Sequence, residues 1–202
     1  MSELFVHQFL PVSEANGPGR RAVLWLQGCS LGCPGCFNPQ THSTSELTSL
    51  SESEGWPRRI SVAEALELIA AAPEIEGLTL TGGEPLEQLP AVLSLLGEIR
   101  ERTPLSVLVF TGYCWAEVPR LPGGGELLLL ADVILAGRYV ARQRVAAGLL
   151  GSANKTVHYL TDRYRPEDVE QTPEAEVVIS AEGRVVLTGI DPLWAEDKPS
   201  SH

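Results

Sequence analysis

Short apolar runs alternate with helical patterns along the first two thirds of the chain, and each run ends at or just before a glycine. The predicted buried strands span residues 22–28, 77–81, 106–111 and 133–135, and the predicted helices span residues 62–72, 90–102 and 127–130. Strands that alternate with helices are joined by right-handed crossovers, which produce a mainly parallel sheet. A complete eight-unit barrel takes about 250 residues, more than the 202 available. We therefore expect an α/β fold, with residues 1–202 forming a single domain built on a partial parallel β/α barrel.

The segments outside this alternation have a different composition. Residues 41–55 are rich in Ser, Thr and Glu, which predicts an exposed mobile loop. Residues 176–189 consist of two apolar runs around Glu182-Gly183, which predicts a small C-terminal β-hairpin. Within the core, Ser61 and Glu64 predict the capped start of a helix.

The charge balance disfavours two classes of partner. The formal net charge is −11, with 15 Lys and Arg against 26 Asp and Glu, so bulk charge disfavours nucleic acids and anionic membranes. The longest apolar stretch, residues 127–136, is interrupted by Asp132 and is shorter than the roughly 20 residues that a spanning helix needs. The N-terminal residues do not resemble a secretory signal or a transit peptide. We expect a cytoplasmic protein.

Three of the four cysteines, Cys29, Cys33 and Cys36, lie within the eight residues CSLGCPGC, and Cys114 stands alone. In a reducing compartment, clustered cysteines are more often metal ligands or catalytic groups than disulfides. Their Cys-x3-Cys-x2-Cys spacing lets one loop supply thiolates to three corners of a four-iron cluster, which normally has four cysteine ligands, so that one iron stays open. A structural zinc site completed by Cys114, His7 or His42 is the alternative.

Other functional candidates follow the remaining predicted strands. Gly82, Gly83 and Glu84 follow the second strand, Gly112 follows the third, and Arg138 follows the fourth. Ligands of parallel α/β sheets bind outside the carboxyl ends of the strands. We therefore expect these residues and the cysteines to converge on one site.

The cysteine motif, the GPGRR segment before the first predicted strand and the TGGEP segment together resemble the radical S-adenosylmethionine (SAM) enzymes. The segment GCSLGCPGCFNPQTH resembles in particular the small activating enzymes of anaerobic ribonucleotide reductase. The similarity continues through DVILAGRYV and GSANKT and covers most of residues 5–190. One departure is Gly35, because many radical SAM enzymes have an aromatic residue before the third cysteine, although the activating enzymes also tend to carry glycine there.

The resemblance implies the roles of individual residues. Cys29, Cys33 and Cys36 would bind three irons of a [4Fe-4S] cluster, and the amino and carboxylate groups of SAM would bind the fourth. The residues that would contact SAM or border its site are Gly82, Gly83, Glu84, Phe37, Gly112 and Arg138.

The resemblance also implies the reaction and its partners. Reductive cleavage of SAM would release a 5'-deoxyadenosyl radical, which would remove a hydrogen atom from a glycine of a reductase-like protein. A flavodoxin- or ferredoxin-type protein would supply the electron. Two alternatives remain open at this point: a small radical SAM enzyme that modifies a small molecule or a peptide, and an iron–sulfur electron-relay protein without radical chemistry.

Overall fold

The structure is a computed structural model that describes residues 2–43, 55–179, 183 and 185–190. The helices are α1 (Val62–Ala70), α2 (Leu89–Arg102), α3 (Gly124–Leu130) and α4 (Pro166–Glu170). The strands are β1 (Glu3–Ser13), β2 (Arg21–Leu26), β3 (Arg58–Ser61), β4 (Gly77–Gly82), β5 (Ser106–Thr111), β6 (Val133–Ala136), β7 (Arg144–Ala147), β8 (Leu150–Ser152), β9 (Thr156–Tyr159), β10 (Ala175–Ile179) and β11 (Val185–Gly189). Most of the predicted loop at 41–55 lies outside the described residues.

Seven of the described strands form one sheet in the order β3-β1-β2-β4-β5-β6-β9. The central strands β2, β4, β5 and β6 are parallel neighbours. The flanking strands β1, β3 and β9 pair antiparallel with their neighbours. The fold is therefore mixed α/β with a parallel centre, as expected from the alternation of strands and helices. Curvature of this sheet into a partial barrel stays a prediction.

The flanking strands were not expected from the sequence. β1 is an 11-residue strand that pairs with both β2 and β3. β9 pairs with β6, so that Val133 lies opposite Tyr159 and Ala136 opposite Thr156. Residues 156–159 therefore run back toward the amino end of the parallel strands.

Side chains alternate between the two faces of the sheet, as the two-residue period of a strand requires. On one face, Leu24, Leu80 and Val109 pack with the helices in the main hydrophobic core. Leu108 and Leu135 point to the other face, where they pack with Leu149 in a smaller cluster. At the carboxyl ends of the strands, this second face also carries the cavity described below.

Arg21, at the start of β2, is completely buried. Its guanidinium group donates hydrogen bonds to Thr79 Oγ1 at 2.8 Å, to Ser106 Oγ at 2.8 Å and to Tyr164 OH at 3.0 Å. It also donates to the carbonyl oxygens of Pro18, Leu78 and Ser106. Burial lowers the pKa of Arg21. Arg21 joins β2, β4 and β5 at the end of the sheet that lies away from the cysteines.

Asp132 makes a second buried polar junction, just before β6. Its carboxylate accepts hydrogen bonds from Val107 N at 2.7 Å, Arg100 Nη2 at 2.8 Å and Thr161 Oγ1 at 2.7 Å. Burial raises the pKa of Asp132, but these hydrogen bonds outweigh it and hold the pKa below its ordinary value. Asp132 thereby ties α2 to β5 and to the turn after β9.

β10 and β11 pair antiparallel, with Ile179 opposite Val185. The predicted C-terminal hairpin therefore has its two strands, while Glu182 of its turn lies outside the described residues.

None of the helices within the described ranges has the length and apolarity to cross a membrane.

Candidate active site

The cysteine loop, residues 29–36, begins where β2 ends, and main-chain hydrogen bonds close its base. Gly28 N donates to Thr41 O at 2.7 Å, and Cys29 N donates to His42 O at 3.3 Å. Gly28 O accepts from Glu84 N at 2.8 Å. The loop therefore leaves and re-enters the body of the protein at one point, next to the end of β4.

Gly82 and Gly83 permit this junction because their backbones touch the end of β2. A Cβ atom on Gly82 would lie 2.5 Å from Leu26 N, and one on Gly83 would lie 2.2 Å from Gly28 O. Gly82 also has a φ of +98°, a conformation that glycine adopts at little cost. The glycine pair therefore seats the cysteine loop against the neighbouring strand, a role that the motif alone did not predict.

Glu84 is 1% exposed and joins the ends of two strands. Its Oε1 accepts hydrogen bonds from Leu86 N and Thr111 Oγ1, and its Oε2 accepts from Gly112 N at 2.7 Å. Burial raises the pKa of Glu84 to about 7, against the opposing effect of these hydrogen bonds. A carboxylate so placed holds β4, β5 and Gly112 in a fixed relation beside the cysteines.

Glu87 also anchors the cysteine loop, through hydrogen bonds with Ser30. Its Oε1 accepts hydrogen bonds from Ser30 N at 3.0 Å and from Ser30 Oγ at 2.6 Å. Glu87 lies in the short 3-10 helix that follows Glu84. The TGGEPLEQ segment therefore supports the first residues of the cysteine loop at two places.

A cavity of about 350 Å³ opens at the carboxyl ends of the parallel strands. All three loop cysteines line it, together with Gly82, Gly83, Glu84, Phe37 and Gly112. Val186 to Ile190 of the C-terminal hairpin form part of its wall. The structure thus brings together every residue that the resemblance assigns to the site except Arg138; Cys114, a candidate for the alternative zinc site, also lies outside the lining.

The three thiols are free and partly exposed. Burial raises the pKa of Cys29 and of Cys36, while main-chain N–H groups of Leu31 and Asn38 lower the respective pKa values by hydrogen bonding. Hydrogen bonds of this kind tune iron–sulfur clusters. Within the described residues, no group of three His, Cys, Asp or Glu side chains is spaced to hold one metal ion. The ligands of a four-iron cluster bind separate irons, so three thiols spread along one loop suit such a cluster.

Phe37 follows the third cysteine and packs in an aromatic corner of the cavity. Its ring centroid lies 4.5 Å from that of Tyr139, and the Arg144 guanidinium carbon lies 5.2 Å from the Phe37 centroid. The ring also fills the space beside Gly151, where a Cβ atom would come within 2.5 Å of it. Contact of Phe37 with a cofactor stays a prediction.

Arg138 lies outside the cavity wall. Its Nη1 donates to Glu117 Oε2 at 3.0 Å, and its guanidinium carbon lies 5.9 Å from the Tyr113 ring centroid. The ion pair with Glu117 raises the pKa of Arg138. Its predicted contact with a cofactor therefore stays a prediction that has no geometric support here.

Lys155 is a cavity residue that the sequence analysis missed. Its Nζ donates to Gly137 O at 2.6 Å, and among the described lining residues it is the one lysine or arginine. Burial lowers the pKa of Lys155, while Cys33, Glu84 and Cys36 oppose this shift. The GSANKT segment could have indicated it, because that segment carries a lysine among residues that resemble the activating enzymes.

Residues 15–158 match the model of a family described as a 4Fe-4S single cluster domain. The match covers most of the chain and includes the cysteine loop, Gly82 to Glu84 and Lys155. It defines the protein as one that carries an iron–sulfur cluster.

The chain belongs to the family of anaerobic ribonucleoside-triphosphate reductase-activating proteins. The member from Vibrio cholerae is 32% identical over 160 residues, which is 77% of this chain and 97% of that protein. The member from Escherichia coli K12 is 30% identical over 160 residues, with 76% and 97% covered. The protein is a radical SAM enzyme of the glycyl-radical activating type, and its cofactors are a [4Fe-4S] cluster and SAM.

The crystal structure of QueE from Escherichia coli aligns with 55% of this chain and 52% of its own, with a TM-score of 0.45 and 19% sequence identity. This likeness is too partial to support an inference about fold or function.

Proposed function

We propose that this protein cleaves SAM reductively and uses the resulting 5'-deoxyadenosyl radical to install a glycyl radical on an anaerobic ribonucleotide reductase. The observation that carries the proposal is the shared cavity, in which three thiols, the Gly82-Gly83-Glu84 turn and Lys155 face one another. The relatives that cover most of the chain are named for activating that reductase.

Each part of the cavity has a chemical task in this proposal. Cys29, Cys33 and Cys36 would hold three irons of the cluster, and SAM would bind the fourth. When bound, the cluster and SAM supply the one-electron cleavage of a carbon–sulfur bond. The Gly82 to Glu84 turn receives the methionine amino group, because main-chain carbonyls and a carboxylate accept hydrogen bonds from an ammonium group.

The positive charge of Lys155 complements the negative carboxylate in the methionine part of SAM. An ammonium group has three donors, and the hydrogen bond to Gly137 O uses one of them. The other two are available for the SAM carboxylate on the cavity side. A cation here also offsets the negative charge of the three thiolates.

The cavity supports a protein substrate. Its wall includes the carboxyl ends of β4 and β5 and residues 186–190 of the C-terminal hairpin. The proposed substrate is a glycine on a loop of the reductase, because the relatives are named for activating that protein. A flavodoxin- or ferredoxin-type protein provides the electron, and the free cysteines fit a reducing cytoplasm.

The test combines the reduced, iron-loaded protein with SAM and the reductase under anaerobic conditions. We expect 5'-deoxyadenosine by chromatography and a glycine-centred doublet by electron paramagnetic resonance. Replacement of any of Cys29, Cys33 or Cys36 by Ala abolishes both signals, whereas Cys114→Ala keeps them. Formation of 5'-deoxyadenosine without a reductase radical would favour a small-molecule or peptide substrate, and the absence of both from iron-loaded protein would favour an electron relay.

A further inference from the structure

Residues 133–161 differ in charge from the rest of this acidic chain. They contain Arg138, Arg142, Arg144 and Lys155 and no Asp or Glu, although the whole chain has a net charge of −11. Arg142 and Arg144 are exposed. Together with Arg138 they form a surface that we call the basic rim, residues 138–144.

The basic rim lies directly beside the cysteine loop. A Cβ atom on Gly35 would lie 3.4 Å from Ala141 Cβ and 3.9 Å from Tyr139 Cε1. Just after the loop, Phe37 contacts Tyr139 and lies under Arg144. The rim therefore adjoins the part of the loop that carries Cys33 and Cys36.

The rim has a fixed conformation. Val140 N donates to Ser152 Oγ at 3.4 Å, Ala153 N donates to Gln143 O at 2.8 Å, and Asn154 Nδ2 donates to Arg138 O at 2.8 Å. These bonds anchor both ends of the rim on residues 152–154. A fixed surface loses little conformational freedom when a partner binds.

The three arginines differ in their contacts. Arg138 is paired with Glu117, and Arg144 packs over Phe37. In the part of the chain that the structure describes, no carboxylate forms an ion pair with Arg142. Its charge is therefore available to a partner.

We propose that the basic rim is the docking surface for an acidic one-electron carrier protein of the flavodoxin or ferredoxin type. Complementary charge steers such encounters and aligns the partners. The rim places a docked carrier next to the cysteine loop, and electron transfer between proteins requires this closeness. The reduced carrier would lose one electron, and the cluster held by Cys29, Cys33 and Cys36 would gain it. This inference rests on the proposed function.

The test compares two charge reversals in the iron-loaded protein. Arg142→Glu alters the rim, and Arg163→Glu is the matched control: Arg163 is exposed and follows β9 at the opposite end of the sheet. Reduced flavodoxin is the probe, and its dissociation constant is measured anaerobically by calorimetry at several salt concentrations. We expect about a fivefold weaker affinity for Arg142→Glu, a wild-type affinity that falls with salt, and less than a twofold change for Arg163→Glu.

Chemical reduction separates this proposal from the proposed function. With dithionite as the reductant, Arg142→Glu cleaves SAM at the wild-type rate, whereas with flavodoxin it is slower by the factor found for binding. Equal effects of the two substitutions on flavodoxin affinity would overturn the docking surface. So would a loss of dithionite-driven radical formation on the reductase at unchanged flavodoxin affinity, because the rim would then bind the reductase. If wild-type protein with dithionite gives no 5'-deoxyadenosine, the proposed function fails and the affinity comparison still decides the docking surface.

Discussion

Substitution of Lys155 by Met tests whether the cavity lysine binds the methionine carboxylate of SAM. The Lys155 Nζ donates a hydrogen bond to Gly137 O at 2.6 Å. Lys155 and Glu84 both line the cavity. Glu84 accepts three hydrogen bonds, and none of them comes from Lys155. The remaining donors of Lys155 are therefore available to an incoming anion.

The expected magnitude follows from the energy of a hydrogen bond to a charged group, about 1.5–3 kcal/mol. Loss of that bond weakens SAM binding by roughly 10- to 150-fold. Lys155→Arg, which keeps the positive charge, is expected to lose less affinity than Lys155→Met.

The assay is equilibrium binding of SAM to anaerobically reconstituted protein, with iron and sulfide measured on the same samples. Iron content distinguishes a lost cluster from a lost carboxylate contact, since Lys155 is not proposed to bind iron. Binding of SAM by Lys155→Met within twofold of the wild type, at full iron content, would refute the role assigned to Lys155.

Three further substitutions test buried contacts of the fold, one beside the site and two at the opposite end of the sheet. Gly83→Ala places a Cβ atom 2.2 Å from Gly28 O, so we expect less than about half of the wild-type iron content and a free energy of unfolding lower by about 1–3 kcal/mol. The control is Gly97→Ala on α2, where a Cβ atom meets open space, and its iron content and stability are expected to be unchanged or higher. Equal behaviour of the two variants would contradict the role of Gly83. Arg21→Leu leaves several buried polar groups without partners and lowers the free energy of unfolding in urea by at least about 3 kcal/mol; a loss below about 1 kcal/mol would show that Arg21 is dispensable. Asp132 has a lowered pKa, so its contribution is present above its unfolded pKa of about 3.9 and is lost as pH falls through the folded value. Asp132→Asn is therefore less stable by about 1–3 kcal/mol at neutral pH, and a difference that persists unchanged in acid would disprove the assignment.

The parallel strands and the convergence of their loops were predictable because the information is local. Each of these strands is rich in apolar residues and has a glycine at or within two residues of its end, and buried parallel strands are rich in apolar residues. The capped start of α1 was equally local, since the Ser61 side chain accepts a hydrogen bond from Glu64 N. Order along the chain then placed the cysteine loop beside Gly82 to Glu84.

The flanking strands and the cavity cation depend on distant partners. β3 has the sequence RRIS and is a strand because it pairs with β1, more than 50 residues earlier. The sequence analysis named Arg138, which follows a predicted strand, and missed Lys155. The ion pair with Glu117 holds Arg138 away from the cavity wall, and β9 brings Lys155 back to Gly137. Neither arrangement is visible in a local pattern.

The base of the cysteine loop is closed by the protein's own main chain. The bonds that close it join Gly28 to Thr41 and Glu84, and Cys29 to His42, and all of them are between protein atoms. None of these bonds needs an iron atom as a partner. We therefore expect protein from which the cluster has been removed to keep the base of the loop closed, so that a cluster can be inserted again.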